Sequence, residues 1–439
     1  MSQFMRKIVV AGAGAYHFAP AIFEDLFTKY RMDAEVWMVD SDLDMAELSA
    51  RAGQALARAF GAQCRFYYTT QLKKATFSAD AVILCADFLD EDAWKKDLEA
   101  LDGVGLGKQA RLRGGIGGAM QTMRVLDFVT DLATQMAEEC PGAPLILCDS
   151  GFGGLQMARA CECAQRFCGV RTLGISGVTE QTKRRLALYL DMKPENMDIT
   201  CAGINNFSWV ASMRDRKGND LIARCKKEML EDSREELAAQ YIDWYDAIPA
   251  GERAMQYEML ADTELSPRKT VLLSGVGLAD YELRKRNLAM LTVHGPISPK
   301  GLEAWGQIRV SGLSSVRPVQ VLRALWGEEE CDVQNLCMPC DGAIAGVPEG
   351  RFVEGPAHID ATGVHGVQVQ LPIEIEDLLG QLSLVNLLYA EAGTTGSRDA
   401  LRTAMEVDPA LSGVDLLYTE SVLSDMMEGQ REKLKRFFE

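Results

Sequence analysis

A short apolar run that ends in a glycine turn opens the chain and constrains its fold more than any other feature. Residues 7–14 read KIVVAGAG, and an amphipathic stretch, APAIFEDLFTKY, follows at residues 19–30. A second apolar run, AEVWMVD, occupies residues 34–40. A strand that enters a helix through a glycine turn and is followed by another strand is the first unit of a parallel sheet covered by helices. We therefore predict an α/β fold built on a doubly wound parallel sheet.

The alternation of strands and helices continues through the first two hundred residues. MAELSARAGQALARAFG (45–61) predicts a long helix, and ADAVILCAD (79–87) and VRTLGISGV (170–178) predict further strands. Beyond residue 200 the pattern becomes mixed, with charged helices and a hairpin-like segment at residues 350–372. We predict a dinucleotide-binding domain over residues 1–200. An α+β domain for substrate binding and oligomerisation follows over residues 201–439, without a flexible linker.

Composition excludes several classes of partner. The formal net charge of −17 would repel nucleic acid and anionic membrane surfaces. No run approaches the roughly 20 apolar residues that span a bilayer, and the N-terminal apolar run enters a glycine turn instead of a signal-peptide cleavage site. Twelve cysteines are scattered along the chain, as in a protein with reduced thiols. We expect a cytoplasmic protein that binds neither nucleic acid nor membrane.

The glycine turn is a candidate cofactor site. Gly12, Gly14, Ala15 and Tyr16 lie where the backbone would approach a pyrophosphate at a helix N-terminus. Asp40 ends the second predicted strand, where a carboxylate holds a ribose 2′-hydroxyl and repels a 2′-phosphate. The pattern favours a Rossmann-like domain that binds NAD rather than NADP. Because the third glycine of the usual fingerprint is missing, a plain strand–helix turn is the alternative.

A second glycine cluster, GVGLGKQARLRGGIGGAMQTMR, occupies residues 103–124. It has too many glycines for a packed helix, so we predict a loop over a ligand and a helix that begins near Gly117. Arg111, Arg113 and Lys108 make this loop locally positive, which suits recognition of a phosphate or a carboxylate on the substrate. The alternative is that these are solvated loop charges.

Two adjacent amides interrupt the strand-like segment AGINNFSWV at residues 202–210. Asn205 and Asn206 would lose hydration if they were buried without partners. One interpretation is a turn in which asparagine tolerates an unusual backbone conformation. The other is a polar site that faces a ligand.

Several segments of the chain match the motifs of one known family. In the N-terminal half these are the glycine turn with its flank (12–20), the segment 69–88 and the glycine-rich stretch that ends at Arg124. GINNFSW resembles a Gly-(Leu/Ile)-Asn-His-x-x-Trp motif, and DGAIAGVPEGRFVEGP (341–356) resembles a Gly-x-Ile-x-x-(Leu/Val)-Pro…Val-Glu-x-Pro run. In these segments, which span most of the chain, the protein resembles glycoside hydrolase family 4, the NAD-dependent glycosidases.

The resemblance implies a redox-assisted cleavage of the glycosidic bond. In family 4 a bound NAD⁺ takes hydride from the sugar C3, and the new ketone acidifies the proton on C2. A base, usually a tyrosine, removes that proton and the aglycone leaves by elimination. Water then adds, and NADH returns the hydride. A divalent metal such as Mn²⁺, held by a cysteine and a histidine, stabilises the enediolate.

Both metal ligands of the family are replaced in this chain. Asn206 stands where the motif has its histidine, and Ser176 in GISG stands where the family has cysteine. A carboxamide and a hydroxyl are poor ligands for a transition metal, so a divalent metal is not expected. His358 and His365 flank a predicted turn and are a weak alternative ligand pair.

The remaining site residues follow from the same resemblance. Asn205 is expected to face the sugar hydroxyls, with Asn206 beside it. Asp149 lies in CDSGFGG (148–154), which replaces the family's Asn-x-x-Asn-Pro turn, and we expect it to bind substrate. Tyr257 in IPAGERAMQYEML is the candidate base, although it could equally be a core residue.

An acidic run near residue 90 has two interpretations. Asp87, Asp90, Glu91 and Asp92 could supply the paired carboxylates of an ordinary glycosidase. We instead expect a solvated rim, with Asp87 near the cofactor.

We predict a family-4-like protein that binds NAD and a sugar or sugar derivative. The alternatives are a non-catalytic binding homologue and, with less support, a dehydrogenase of 2-hydroxy acids. The resemblance also implies a homodimer or homotetramer, and LLGQLSLVNLLYAEA (378–392), apolar nearly all round, fits burial in a core or an interface.

Overall fold

The structure, a computed structural model, describes residues 5–14, 19–86, 88–149, 155–204, 207–232, 235–251, 256, 259–260, 276–311 and 317–439. The described strands are β1 Arg6–Ala11, β2 Ala34–Val39, β3 Arg65–Thr69, β4 Ala81–Leu84, β5 Leu145–Asp149, β6 Thr172–Ser176, β7 Met197–Ile204, β8 Phe207–Asp215, β9 Cys331–Pro339, β10 Phe352–Asp360 and β11 Gly363–Gly366.

Helices separate most of these strands. The described α-helices are α1 Ala19–Glu24, α2 Leu43–Phe60, α3 Leu72–Thr76, α4 Glu91–Gly103, α5 Gly115–Glu139, α6 Met157–Glu162, α7 Val178–Tyr189, α8 Ile222–Leu230, α9 Glu236–Tyr245, α10 Val276–His294, α11 Pro299–Ser311, α12 Pro318–Leu325, α13 Ile373–Thr395, α14 Arg398–Val407 and α15 Leu416–Glu428. Helix α1 continues as a π-helical turn, Asp25–Lys29, and α6 continues as another, Cys163–Phe167. Short 3₁₀ turns cover Gly107–Gln109, Pro194–Asn196, Pro409–Leu411, Arg431–Lys433 and Lys435–Phe437.

All described strands join one sheet, in the order β3-β2-β1-β4-β5-β6-β9-β10-β7-β8, with β11 paired to β10. The first six strands are parallel, and their order 3-2-1-4-5-6 is that of a doubly wound dinucleotide-binding sheet. The sequence prediction of an α/β fold is therefore confirmed. The order reverses between β1 and β4, and ligands of such sheets bind at this switch point, beyond the carboxyl ends of the strands.

The C-terminal half extends the same sheet instead of forming a separate one. Strand β9 pairs antiparallel with β6, so that Gly174 lies opposite Cys337 and Ile175 opposite Leu336. The hairpin expected within residues 350–372 is present as β10 and β11, with Asp360 opposite Gly363. Strand β7 spans residue 200, where the sequence predicts the second domain to begin. The boundary between the two domains stays a prediction.

Burial explains why the parallel strands read as continuous apolar runs. Ile8 and Val9 in β1 and all four residues of β4 are 0% exposed. Such strands are covered by helices on both faces, so alternation is not required. Helix α2 begins where Asp42 accepts hydrogen bonds from the Asp44 and Met45 amides and ends at the left-handed Gly61.

The all-round apolar segment 378–392 lies in helix α13 and belongs to the core of the chain. Helix α13 packs on α14 and α5, and its Leu379, Val385 and Tyr389 side chains are fully buried. The segment therefore gives no separate support for an oligomer. Within the part of the chain described, no helix has both the length and the apolar character needed to cross a membrane.

Candidate functional site

The glycine turn lies at the switch point of the sheet. Gly12 follows β1 with a φ of +79°, and a Cβ atom built on it would lie 2.4 Å from the Ala86 backbone after β4. The Gly12 amide donates to the Val39 carbonyl at 2.9 Å. Only glycine combines this left-handed conformation with so close a backbone approach. The turn is thus held tightly between the ends of β2 and β4.

Asp40 lies directly beside this turn. Its Oδ2 accepts a hydrogen bond from the Gly14 amide at 2.9 Å, and its Oδ1 accepts one from the Asp42 amide at 3.0 Å. Arg284 of α10 donates to the Gly14 carbonyl at 2.7 Å, so a distant helix also braces the turn. A half-buried carboxylate beside a glycine turn fits the ribose end of NAD. Three predicted cofactor residues, Ala15, Tyr16 and Asp87, lie outside the described residues.

The glycine-rich loop runs from the end of α4 to the start of α5, which begins at Gly115 rather than Gly117. Arg111 and Arg113 are 5% and 2% exposed, so the alternative of solvated loop charges is wrong for both. Arg111 Nε donates to the Lys108 carbonyl at 3.0 Å, and its guanidinium also donates to the Leu260 carbonyl. Arg111 therefore fastens the loop to the segment near residue 260.

Glycines within the first turn of α5 let this loop fold back on the helix. A Cβ atom on Gly117 would lie 2.4 Å from the Arg111 carbonyl oxygen, and one on Gly118 would lie 2.3 Å from the Arg113 carbonyl carbon. Gln156, just before α6, donates to the Leu112 carbonyl at 2.9 Å. The arginine loop is thereby fixed against the start of two helices.

Asp149 and Ser176 end neighbouring parallel strands and lie opposite each other in the β5–β6 register. Both are buried, with 2% and 4% of their surface exposed. Because the carboxyl ends of parallel strands share one edge, this pair stands where the fold places its ligands. The structure thus brings the predicted substrate residue and the replaced metal-ligand position together.

Ser176 belongs to a buried polar cluster that sequence analysis missed. Its hydroxyl donates to Glu354 Oε1 of β10, and Ser208 of β8 donates to Glu354 Oε2 at 3.2 Å. Asn335 of β9 donates from Nδ2 to Ser176 Oγ at 3.3 Å. Glu354 is only 1% exposed. A single acid in the otherwise apolar segment FVEGP (352–356) was the available signal, because a buried carboxylate needs partners.

A cavity of about 330 Å³ opens beside this cluster. Its lining includes Ser176, Thr179, Asn335, Gln334 and Arg317. This volume is within the range of small-molecule sites and suits a monosaccharide. Ser176 is thus a member of both the polar cluster and the cavity wall.

The groups that the structure describes at the replaced metal position do not fit a transition metal. A serine hydroxyl that donates to a carboxylate is a poor substitute for a thiolate. Asn206, the other replaced ligand, and Asn205 lie outside the described residues. In the described ranges, no three or more His, Cys, Asp or Glu side chains are grouped so that they could hold a metal ion. Metal independence stays a prediction.

The two candidate histidine ligands belong to an exposed hairpin. His358 and His365 lie opposite each other on β10 and β11. His358 Nδ1 is 2.8 Å from Asp332 Oδ1, and His365 Nε2 is 3.1 Å from Asp360 Oδ1. The hydrogen bond with Asp332 is the main reason why the pKa of His358 is raised. Both imidazoles are hydrogen-bonded to surface carboxylates.

The candidate base, Tyr257, lies outside the described residues, but the residue before it is described. Gln256 is 0% exposed and donates from Nε2 to the Ala250 carbonyl at 3.0 Å and to the Ser208 carbonyl. Since Ser208 contacts Glu354, this segment reaches the polar cluster.

The acidic run after β4 does not form paired catalytic carboxylates in its described part. Asp90 caps helix α4, because its side chain accepts a hydrogen bond from the Ala93 amide at 2.9 Å. Asp90 also forms an ion pair with Lys433. Glu91 and Asp92 follow in the first turn of that helix, where carboxylates stabilise the helix dipole.

Comparison with known proteins agrees with this architecture. A doubly wound sheet with a glycine turn at its switch point defines a dinucleotide-binding type of enzyme fold. The sequence model of family 4 glycosyl hydrolases matches residues 7–159, and the model of the family's C-terminal domain matches residues 201–411. The chain therefore belongs to glycoside hydrolase family 4, and the resemblance inferred from its motifs is confirmed.

The relatives match over nearly their whole length. The chain is 24% identical over 441 residues to the alpha-glucosidase of Erwinia rhapontici, covering 92% of this chain and 93% of that protein. A structure of 6-phospho-alpha-glucosidase from gut microorganisms with NAD and glucose-6-phosphate has a TM-score of 0.75 at 18% identity, and one with NAD and Mn²⁺ has 0.71 at 16%. The match to each of these two structures covers 98% of this chain and 99% of the chain in that structure. These matches support a glycoside hydrolase and do not favour a non-catalytic homologue.

Proposed function

We propose that this family 4 enzyme binds NAD and cleaves the glycosidic bond of a sugar or sugar derivative by the redox-assisted route, without a Cys/His metal site. The observation that carries the cofactor assignment is the Asp40 carboxylate, 2.9 Å from the Gly14 amide at the switch point of the sheet. Bound NAD⁺ would supply the acceptor for hydride from the sugar. The cytoplasm is the proposed location.

The substrate side of the proposal rests on the strand ends. Asp149 is proposed to bind the sugar, with Arg113 and Arg111 closing the glycine-rich loop over it. Their burial supports this role, because a loop fixed in place can exclude water from a bound ligand. Asn205 and Asn206, which fall in the sequence between the end of β7 and the start of β8, are proposed to face the sugar hydroxyls.

Tyr257 is proposed as the base that removes the sugar C2 proton. The support is the position of the preceding Gln256 against the Ser208 carbonyl, which brings this segment to the polar cluster. An acid–base residue must lie within hydrogen-bond reach of the proton that it removes.

NAD⁺ is expected to bind, and NADP⁺ to bind more weakly, because the Asp40 carboxylate would repel a 2′-phosphate. Asp40→Ala is expected to weaken NAD⁺ binding about tenfold, since a hydrogen bond to a charged group contributes roughly 1.5 kcal/mol. Calorimetric titration with both dinucleotides measures this. Glu47→Gln, which removes an acid paired with Arg51 on α2, is the control and should bind NAD⁺ as the wild type does. Binding of neither dinucleotide, or a preference for NADP⁺, would refute the cofactor assignment.

A homodimer or homotetramer is proposed from the resemblance alone, because helix α13 is already buried within the chain. Light scattering at micromolar concentration is expected to give a mass of at least twice the 48.2 kDa chain. A monomer at that concentration would contradict this prediction.

A further inference from the structure

Glu354 is separated from the cavity by a single side chain. Ser176 lines the cavity and its hydroxyl donates to Glu354 Oε1, whereas Glu354 is not part of the cavity wall. The carboxylate is 1% exposed and also accepts from Ser208 at 3.2 Å. A continuous hydrogen-bonded path therefore runs from the cavity through Ser176 to a buried carboxylate.

The partners of Ser176 fix the direction of its proton. Asn335 Nδ2 and the Val178 amide both donate to Ser176 Oγ, at 3.3 and 3.4 Å. A hydroxyl has one proton, and an ionised carboxylate can only accept, so that proton points to Glu354. Both incoming bonds are long, so a ligand hydroxyl in the cavity can replace one of the two donors on the serine oxygen with a shorter bond.

In a site without the family's metal, one step of the chemistry needs another group. Oxidation of a sugar alcohol to a ketone releases a proton from the hydroxyl as hydride leaves the carbon. A metal would lower the pKa of that hydroxyl, but the donors at this position do not suit one. A base can accept the same proton directly.

We propose that Ser176 and Glu354 form a proton relay that takes the place of the metal in the oxidation step. Bound NAD⁺ would accept the C–H electron pair as hydride, while the sugar O–H proton passes to Ser176 Oγ and the serine proton passes to Glu354. The products are a ketone, a reduced cofactor and a protonated Glu354, so atoms and charge balance. Ser176 is the catalytic residue and Glu354 is a positioning residue that acts through it. This inference rests on the proposed function.

Stopped-flow measurement of NADH absorbance tests the relay with NAD⁺ and two sugar probes, glucose 6-phosphate and galacturonate. Glu354→Gln and Ser176→Ala are each expected to lower the rate of NADH formation about 10²–10⁴-fold, the usual contribution of a proton-accepting group. In Glu354→Gln the KM for the sugar should change little, because the carboxylate does not line the cavity. A merely structural role would instead change KM or thermal stability together with the rate.

Glu162→Gln is the matched control. Glu162 is also 1% exposed, but it accepts from the Phe352 amide and pairs with Arg166, away from the cavity. Its variant should form NADH as the wild type does. An unchanged rate in Glu354→Gln, or an equal loss in Glu162→Gln, would overturn the relay.

An infrared difference spectrum without sugar separates failure of the relay from failure of the proposed function. The wild-type minus Glu354→Gln spectrum at neutral pH should contain the bands of an ionised carboxylate, and Ser176→Ala should shift them. The carbonyl band of a protonated acid would overturn the relay, since Glu354 could then accept no proton. If the wild type forms no NADH with either probe, the proposed function fails for those sugars, and the infrared result still decides the relay.

Discussion

Mn²⁺ is expected to leave the activity and the thermal midpoint of the wild-type protein unchanged, whereas Ser176→Cys combined with Asn206→His should create a measurable Mn²⁺ site. The wild-type position offers a hydroxyl already committed to Glu354 and, by sequence, a carboxamide. Neither is a good ligand for a transition metal. The double variant restores the thiolate and imidazole that the family uses, and calorimetric titration with Mn²⁺ measures the gain.

Each single variant serves as a control for this experiment, because one ligand alone should bind Mn²⁺ far more weakly than two. In Ser176→Cys the new thiol would lie beside the Glu354 carboxylate, and a neighbouring negative charge raises the pKa of a thiol. Mn²⁺ binding by the double variant should therefore strengthen as the pH rises. Binding that is equally strong in Asn206→His alone would show that residue 176 does not contribute.

The glycosidase activity of the wild-type protein tests the prediction that it has no metal site. Without a metal, an enediolate would lose several kcal/mol of charge stabilisation, and each 1.36 kcal/mol corresponds to a factor of ten in rate. Ordinary family activity should then be very low unless other groups, such as Arg111 or Arg113, stabilise the charge. Strong Mn²⁺-dependent glycosidase activity in the unmodified protein would overturn the argument from the missing ligands.

The ionisation of Asp25 is expected to lower the free energy of unfolding by about 3 kcal/mol as the pH rises from about 4 to 7. Asp25 is 0% exposed, and burial raises its pKa from 3.8 to about 6 although Arg317 lies beside it. A raised pKa means that the folded state holds the proton more tightly than the unfolded state. The stabilisation is therefore complete below pH 3.8 and is lost as the pH passes through about 6.

Asp25→Asn is expected to lack this pH dependence, because the amide stays neutral. Its oxygen can still accept a hydrogen bond from Arg317, as Asp25 Oδ1 does at 3.0 Å in the wild type. Urea unfolding at a series of pH values measures the difference between the two proteins. Glu24→Gln removes the other carboxylate that contacts Arg317, at 3.2 Å, and controls for loss of an ion pair. A constant difference between Asp25→Asn and the wild type across this range would refute the prediction.

The parallel half of the fold was predictable because its signals are local. Each buried strand reads as an apolar run, and α2 carries its own period and end signals, with Asp42 before it and Gly61 after it. The extension of the sheet by β9, β10, β7 and β8 was not predictable in this way. It depends on pairing between segments that are far apart in sequence, and such pairing cannot be inferred from either segment alone.

The candidate site was predictable only in part for a similar reason. Gly12, Gly14 and Asp40 were found because the turn and the next strand end are close in the chain. The burial of Arg111 was missed, since its partner, the Leu260 carbonyl, lies 149 residues away. Glu354 was not assigned a role, although its motif was noticed, because its contacts with Ser176 and Ser208 arise only when the sheet is assembled.

The pairing of β6 with β9 has a consequence for the order in which the protein is made. Ser176 leaves the ribosome 178 residues before its partner Glu354, and contacts between such distant segments form slowly because a long loop must close first. Until β9 emerges, β6 is an open edge strand, and open edges invite pairing with other chains. The nascent N-terminal half therefore exposes an unpaired edge strand that is covered when β9 pairs with β6, before Glu354 of β10 completes the polar cluster.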